Sequence, residues 1–388
     1  MKSKLTALLF VTLISLMFFY AATPCSAVDG TVSYQLVNQD DGTYTHTLNV
    51  VIPQSLTDYY NGLSHRAASA ADFPKFVTPY ALKPIADCLR QIYPDDEDFT
   101  NGVLVLIHQI PYEEVLPAYY PAETLLRNSG DCDLMSYIGA SILMAGGLDV
   151  VLFHYPTEEH MNIGVHLATK PNDARLPVTF LQNNGVTYYV AESTSTNWQE
   201  GWRVGECPDD LKTAPASIIT LENSEQIAPG QVSASFRKLD PTALGLEVSS
   251  IITIQGSMLT LRGQITPAVP NEKVTVYWSP NGAPWAVLTT TVTQSNGKFE
   301  YTWKPATSGF VDMLDVRASW TGNQQYAGNT SQTKNSTILS FLMLIALIVP
   351  VVVIVVSVVA VAVRRRKTKP LEDTMPTNAI SAPEQPTP

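Results

Sequence analysis

Charge and cysteine are both scarce in this 388-residue chain: 15% of residues are charged and four are cysteine. The charged minority is lopsided, with 24 Lys and Arg against 35 Asp and Glu, for a net charge of −11. Residues 1–27 carry +2 and the stretch from Arg364 onward carries another +2, so −15 falls on the part between them. That sign argues against nucleic acid or another anionic polymer as a partner. No glycine-rich phosphate loop and no His/Cys metal spacing occurs. The acidic run Asp95-Asp96-Glu97-Asp98 lacks the alternation and glycine of a calcium loop, and reads as a solvated turn that also supplies acids to the start of a helix. No cofactor and no metal is expected.

Long hydrophobic runs are confined to the two ends. Lys2 and Lys4 precede an apolar stretch from Leu5 to Phe19, and small residues lead to Ala27; this is the pattern of a secretory signal peptide over residues 1–27. Ile338 to Val363 is almost continuously apolar. About 26 residues at 1.5 Å each reach roughly 39 Å, more than the ~30 Å of a hydrocarbon core, so a single transmembrane helix is expected over 338–363. Arg364-Arg-Arg-Lys367 follows, which places residues 364–388 in the cytoplasm as a disordered tail rich in Pro, Thr and Ala. The expected localisation is a cell membrane, single-pass, with the ectodomain outside. Asn329-Thr-Ser and Asn335-Ser-Thr are glycosylation sequons on that side.

Cysteine scarcity sharpens the reading of what lies between. Cys25 leaves with the signal peptide, and Cys88, Cys132 and Cys207 remain. An odd number in an oxidising compartment leaves one thiol over. Either Cys88 pairs with Cys207 and Cys132 is free, or the two are buried free thiols. Cys132 stands out by position. Asp131 is a candidate N-cap, and Leu134, Ile138, Ile142 and Ala145 follow at helical spacing up to Gly146-Gly147. A cysteine in the first turn of a helix gains from the positive dipole end, while Asp131 and Asp133 oppose a second negative charge, so a base is needed. The β-rich run Val150–Tyr155 is followed by a second run opened by His160, and a third, from Val186, carries Glu192 near its end. Cysteine, histidine and carboxylate in that order fit a thiol triad, with His160 accepting the thiol proton and Glu192 orienting the imidazole. His154, His166, Asp149 and Asn162 are the rivals; His166 shares the face of His160 but lies about 20 Å along the strand. Trp198, Trp202, Tyr119 and Tyr120 either line a cleft or pack.

Gly130-Asp131-Cys132, preceded by Pro121-x-Glu123-Thr124-Leu125, resembles the transglutaminase-like superfamily, whose core has a papain-like catalytic arrangement. The resemblance extends upstream through Gly102-Val-Leu-Val-Leu-Ile-His-Gln-Ile-Pro-Tyr112, and downstream through His160-Met-Asn-Ile-Gly-Val165 to Tyr188-Tyr-Val-Ala-Glu192, covering residues 76–206. It implies Cys132 as nucleophile, His160 as base and Glu192 as the orienting acid. The chain departs from the family at Glu192, where Asp is usual, and at Leu134, where relatives often carry a polar residue.

The remainder sorts into segments. Residues 28–75 read as β-rich and packed on the core, with a hairpin around Asp40-Asp41-Gly42 and His46 in phase with the apolar face. Residues 76–225 form the transglutaminase-like domain, with helices over Pro79–Tyr93 and Phe99–Gln109, and 226–244 a linker. Residues 245–333 alternate in short strands with Asn281-Gly282 and Asn296-Gly297 turns, resembling an immunoglobulin-like sandwich of prokaryotic cell-surface proteins. The expected fold class is therefore α+β: a transglutaminase-like (papain-like) core, then an all-β immunoglobulin-like sandwich and one transmembrane helix. The expected function is a membrane-anchored extracellular thiol enzyme. It would act on amide or peptide carbonyls of a protein or peptide substrate, with the cell envelope as one source, by hydrolysis or acyl transfer. The other class is an inactive surface module with a binding or structural role.

Overall fold

The computed structural model describes residues 29–37, 44–195, 197–225, 227–306 and 309–367. The expected signal peptide over 1–27, the expected hairpin turn at Asp40–Gly42 and the part of the expected tail beyond Lys367 lie outside these residues. Antiparallel strands β1 (Gly30–Val37) and β2 (Tyr44–Ile52) lead into helix α1 (Gln54–Asn61) and a 3₁₀ turn at Ala70–Phe76. Helices α2 (Pro79–Ile92), α3 (Asp96–Ile107), α4 (Pro121–Arg127) and α5 (Cys132–Ala145) follow. Then come strands β3 (Val150–Tyr155), β4 (His160–Val165), β5 (Phe180–Asn183), β6 (Val186–Ala191), β7 (Ser217–Thr220) and β8 (Ser233–Ser235).

Five of these strands form one antiparallel sheet in the order β5-β6-β4-β3-β7. Helix α5 is buried from Leu134 to Leu143 and contacts α2, α3 and β4. That all-round burial explains its apolar composition, of which the expected stripe Leu134, Ile138, Ile142 and Ala145 is only one face. At Gly139 an added Cβ would stand 2.5 Å from Ile163 Cδ1, so the glycine lets α5 approach β4 closely. Past the helix end Gly147 takes φ +91°, a left-handed turn that only glycine adopts freely.

The acidic run is a helix start rather than a free turn. Asp95 is the N-cap of α3, its Oδ1 accepting from the N–H groups of Glu97 (2.8 Å) and Asp98 (3.3 Å). The helix therefore begins three residues before the expected Phe99.

The second core belongs to a two-sheet sandwich. One sheet is β9 (Ala243–Val248), β11 (Leu259–Thr266) and β14 (Lys298–Trp303). The other holds β10 (Ile252–Ile254), β12 (Lys273–Pro280), β13 (Ala286–Val292), β15 (Val311–Gly322), β16 (Ala327–Thr330) and β17 (Lys334–Leu339). Leu246, Leu261 and Phe299 from the first sheet meet Val276, Val316 and Trp320 from the second. Asn329, in a sequon, is committed internally: its Nδ2 donates to Asp29 Oδ2 (2.9 Å) and Thr242 O (2.7 Å).

Several expectations are corrected here. The chain is β-rich, with seventeen strands in four sheets among the described residues, and the α+β class with a papain-like core does not stand as its fold. Much of the extra sheet comes from segments without readable alternation. The expected linker 226–244 supplies β8, which pairs with β2, and the start of β9. Within residues 28–75, expected to be a β-rich segment, the part after β2 holds helix α1 and most of the 3₁₀ turn instead of strands. His46 is exposed, its ring 5.1 Å from that of Phe236.

The expected membrane anchor over 338–363 is corrected as well. Among the described residues no helix is long and apolar enough to cross a membrane. Ile338 and Leu339 belong to β17, paired with β15. The helix that follows is α6 (Phe341–Lys367). The single-pass placement, with an outer ectodomain and a cytoplasmic tail, loses its support with the anchor.

Candidate functional site

Strand register assembles the site. In the ladder between β4 and β6, Ile163 faces Ala191 and Gly164 faces Val190. One step further along that register brings Asn162 opposite Glu192, just past the end of β6. His160 shares the face of Asn162 at the head of β4, because side chains alternate with period two. The imidazole Nε2 of His160 meets both Glu192 oxygens, at 3.2 Å (Oε1) and 3.0 Å (Oε2). Asn162 Nδ2 donates to Oε2 at 3.3 Å. Thr194 clamps Oε1 twice, through its N–H at 2.9 Å and its hydroxyl at 2.6 Å.

Glu192 is fully buried. Burial pushes its carboxyl up, but the hydrogen bonds and charge of His160 and the two donors of Thr194 outweigh it, leaving the pKa below the ordinary value. His160 shows the reverse balance. Burial disfavours its charge, yet hydrogen bonds to Cys132 and Glu192 raise it to about 10, so the imidazole is held as a cation at neutral pH.

Cys132 is the first residue of α5, 6% exposed, behind the N-cap Asp131, whose Oδ1 accepts from Leu134 N at 3.2 Å. Its sulfur stands against the His160 imidazole and makes two long contacts, 3.6 Å to Asp133 Oδ1 and 3.9 Å to Glu159 O. Burial, then the charge of Asp131, raise the Asp133 carboxyl above its ordinary value.

Cys132, His160 and Glu192 are thus brought together. The rivals are elsewhere occupied. His166 Nδ1 contacts Thr187 O, the His154 ring packs edge-on against Phe73, and Asp149 accepts from the Tyr188 hydroxyl. Asn162 joins the site as an additional donor to Glu192. Cys88, Cys132 and Cys207 are all free thiols, so the Cys88–Cys207 pairing is not made. Burial raises Cys88 to about 11 and Cys207 to about 12.

Beside the triad lies an open groove of about 830 Å³, lined by Tyr112, Arg175, Leu176, Thr194, Trp202 and Glu206 among others. Tyr112 adjoins the Cys132 loop through a bridge to Gly130, and Thr194 is the Glu192 clamp. Arg175 is tied to Glu206 by Nε (2.9 Å) and Nη2 (2.6 Å). Of the four aromatics proposed for a cleft, Trp202 lines this groove and Trp198 a small adjoining cavity with His108. Tyr120 packs on Tyr60 and Phe76, and Tyr119 lies edge-on to His65.

The sequence reading missed Thr194, Arg175, Glu206 and His108, whose Nε2 donates to the Glu192 carbonyl at 2.9 Å. None sits in a local pattern; only Thr194, two residues beyond the acid, was close enough to suggest a role.

No family model and no curated protein matches this chain. Solved structures with some likeness include a chain from a structure that describes T cell specificity and activation by the bacterial superantigen toxic shock syndrome toxin-1 (8% identity, 26% of this chain and 99% of that chain, TM-score 0.20). Others are the CARDB domain of a Pyrococcus furiosus protein (10% identity, 25% and 91%, TM-score 0.17) and a tetra-tandem repeat of a large adhesion protein (17%, 50% and 42%, TM-score 0.22). Likeness at that level carries no argument about fold or function.

Proposed function

We propose that the protein is a thiol-dependent acyl-transfer enzyme acting on amide or peptide carbonyls through Cys132, His160 and Glu192. The observation that carries this reading is the buried Glu192 carboxylate gripping His160 Nε2 with both oxygens, with the Cys132 sulfur 3.9 Å from the carbonyl of Glu159, the residue before His160. The motif resemblance around Gly130-Asp131-Cys132 supports the same roles.

In this mechanism the thiol proton already resides on His160, which is the source of the imidazolium charge, and the Sγ thiolate attacks the carbonyl carbon. The Cys132 N–H, in the first turn of α5 and without an intrahelical partner, contributes to an oxyanion hole. His160 then donates its proton to the leaving amine as the C–N bond breaks, leaving a thioester on Cys132. Water or an amine takes the acyl group and regenerates the thiol. Glu192 keeps the imidazole turned toward the sulfur and stabilises its charge. The groove beside the triad receives the substrate, a protein or peptide.

The test is incubation with a library of peptide amides, with and without an added primary amine, read by mass spectrometry for turnover and for a thioester on Cys132. Turnover or thioester that disappears in Cys132→Ala supports the proposal. Turnover in neither condition, with no adduct, makes the domain a binding or structural module.

A further inference from the structure

Two buried serines lie behind the triad, and neither is used in the mechanism above. Ser136 sits on α5 one turn after Cys132, and Ser193 directly follows Glu192; both are 0% exposed. Their hydroxyl oxygens are 2.9 Å apart. Ser136 Oγ also lies 3.2 Å from the carbonyl oxygen of Met161, the residue after His160, and Ser193 Oγ lies 3.4 Å from the carbonyl of Cys132.

Counting protons orders these contacts. Two hydroxyls carry two protons for three contacts, and each carbonyl only accepts. The two shorter contacts are filled by a one-way chain in which Ser193 donates to Ser136 and Ser136 donates to Met161 O. The 3.4 Å contact is the one left without a proton, at the limit of hydrogen-bond distance. Ser136 is then the hub. It is anchored on the nucleophile's helix and ties in the residue next to the base and the residue next to the acid. A buried hydroxyl without its partner is costly, so the chain favours one relative placement of the three backbones.

We propose that Ser136, with Ser193, is a positioning residue that fixes the registry of Cys132, His160 and Glu192, and so sets the proton transfer between sulfur and imidazole. This inference rests on the thiol-enzyme reading. Helix α5 supplies its own control. Ser141 is equally buried, donates to Tyr137 O at 2.6 Å and accepts from Thr78 N at 2.8 Å, and touches no triad element.

The experiment measures the rate of Cys132 alkylation by iodoacetamide against pH on the full chain, by peptide mass spectrometry, alongside thermal melting. Wild type and His160→Ala come first. If Cys132 reacts no faster in wild type, the thiol-enzyme reading itself fails. If His160 accelerates it, Ser136→Ala is expected to slow alkylation at pH 7 about tenfold, because small misplacements of reacting groups cost this much or more. Its pH profile should move toward that of His160→Ala, and Ser193→Ala should do the same to a smaller extent. Ser141→Ala should lower the melting temperature without moving the profile. A wild-type profile in both Ser136→Ala and Ser193→Ala, or an equal shift in Ser141→Ala, overturns the positioning role while leaving the triad standing. Should Ser136→Ala not fold, Ser193→Ala, which leaves the hub in place, decides alone.

Discussion

Among the described residues, two half-buried histidines each pair with a buried carboxylate in nearly the same shape. His160 Nε2 meets Glu192 at 3.2 and 3.0 Å, and His65 Nε2 meets Glu123 at 3.1 and 2.9 Å. In both, one imidazole nitrogen faces both carboxylate oxygens. The pairs differ in what the rest of each group touches. His65 turns Nδ1 to the backbone oxygen of Leu63 (2.9 Å), and Glu123 also accepts from Tyr120 N (2.9 Å), closing the start of α4. His160 instead stands against a sulfur. A histidine–carboxylate pair is therefore no sign of catalysis by itself. One pair ties the loop after α1 to a helix start, and the other leaves a nitrogen for chemistry.

Removing the base breaks the comparison hardest. In His160→Ala, alkylation of Cys132 at pH 7 should fall by about 100-fold or more, the scale of a lost general base. His65→Ala should leave that rate unchanged and instead cost about 2 kcal/mol in denaturant unfolding, since Glu123 loses a buried partner. Cys88 and Cys207, held up at about 11 and 12, should label slowly in every variant and serve as references in the same digest. Equal losses of Cys132 reactivity in both histidine variants would make the two pairs alike and remove the reason to single out one.

Glu192→Gln keeps the shape of the acid and removes its charge. The amide can no longer accept on both atoms from His160 and Thr194, so the cation loses its counter-charge. Alkylation at pH 7 should drop about tenfold, less than for His160→Ala, because the imidazole itself remains. A Glu192→Asp variant, restoring the charge on a shorter arm, should recover part of the loss.

What made this site readable is its local spacing. Asp131 before Cys132 marks a helix start, His160 opens the β-rich run that folds as β4, and Glu192 directly follows the one that folds as β6. The β4–β6 register then does the rest. Parts set by long-range contacts had no such signal. Ser233–Ser235 is three residues long and becomes a strand only by pairing with β2, and Arg175 meets Glu206 across 31 positions. Ser136 looks like any small residue in a buried helix. The sandwich was legible from its Asn-Gly turns, both of which carry positive φ at the glycine, whereas its last strand was hidden because Lys334–Leu339 runs straight into the apolar terminal segment.

The smallest effect expected is on stability against pH, at the His160–Glu192 pair. The folded pKa of His160, about 10, lies above the ~6.5 of a free imidazole, so its contribution is full below pH 6.5 and fades as pH rises through 10. Glu192 lies below the ordinary carboxylate value, so its contribution is full above about pH 4.5 and fades as the solution becomes more acidic. Between those limits both contributions are complete. The melting-temperature difference between wild type and His160→Ala should therefore be flat from about pH 4.5 to 6.5, then shrink steadily toward pH 10. If the difference instead collapses just above pH 7, His160 titrates as an ordinary histidine, the cation is not held at neutral pH, and proton transfer from sulfur to imidazole loses the electrostatic support that Glu192 supplies.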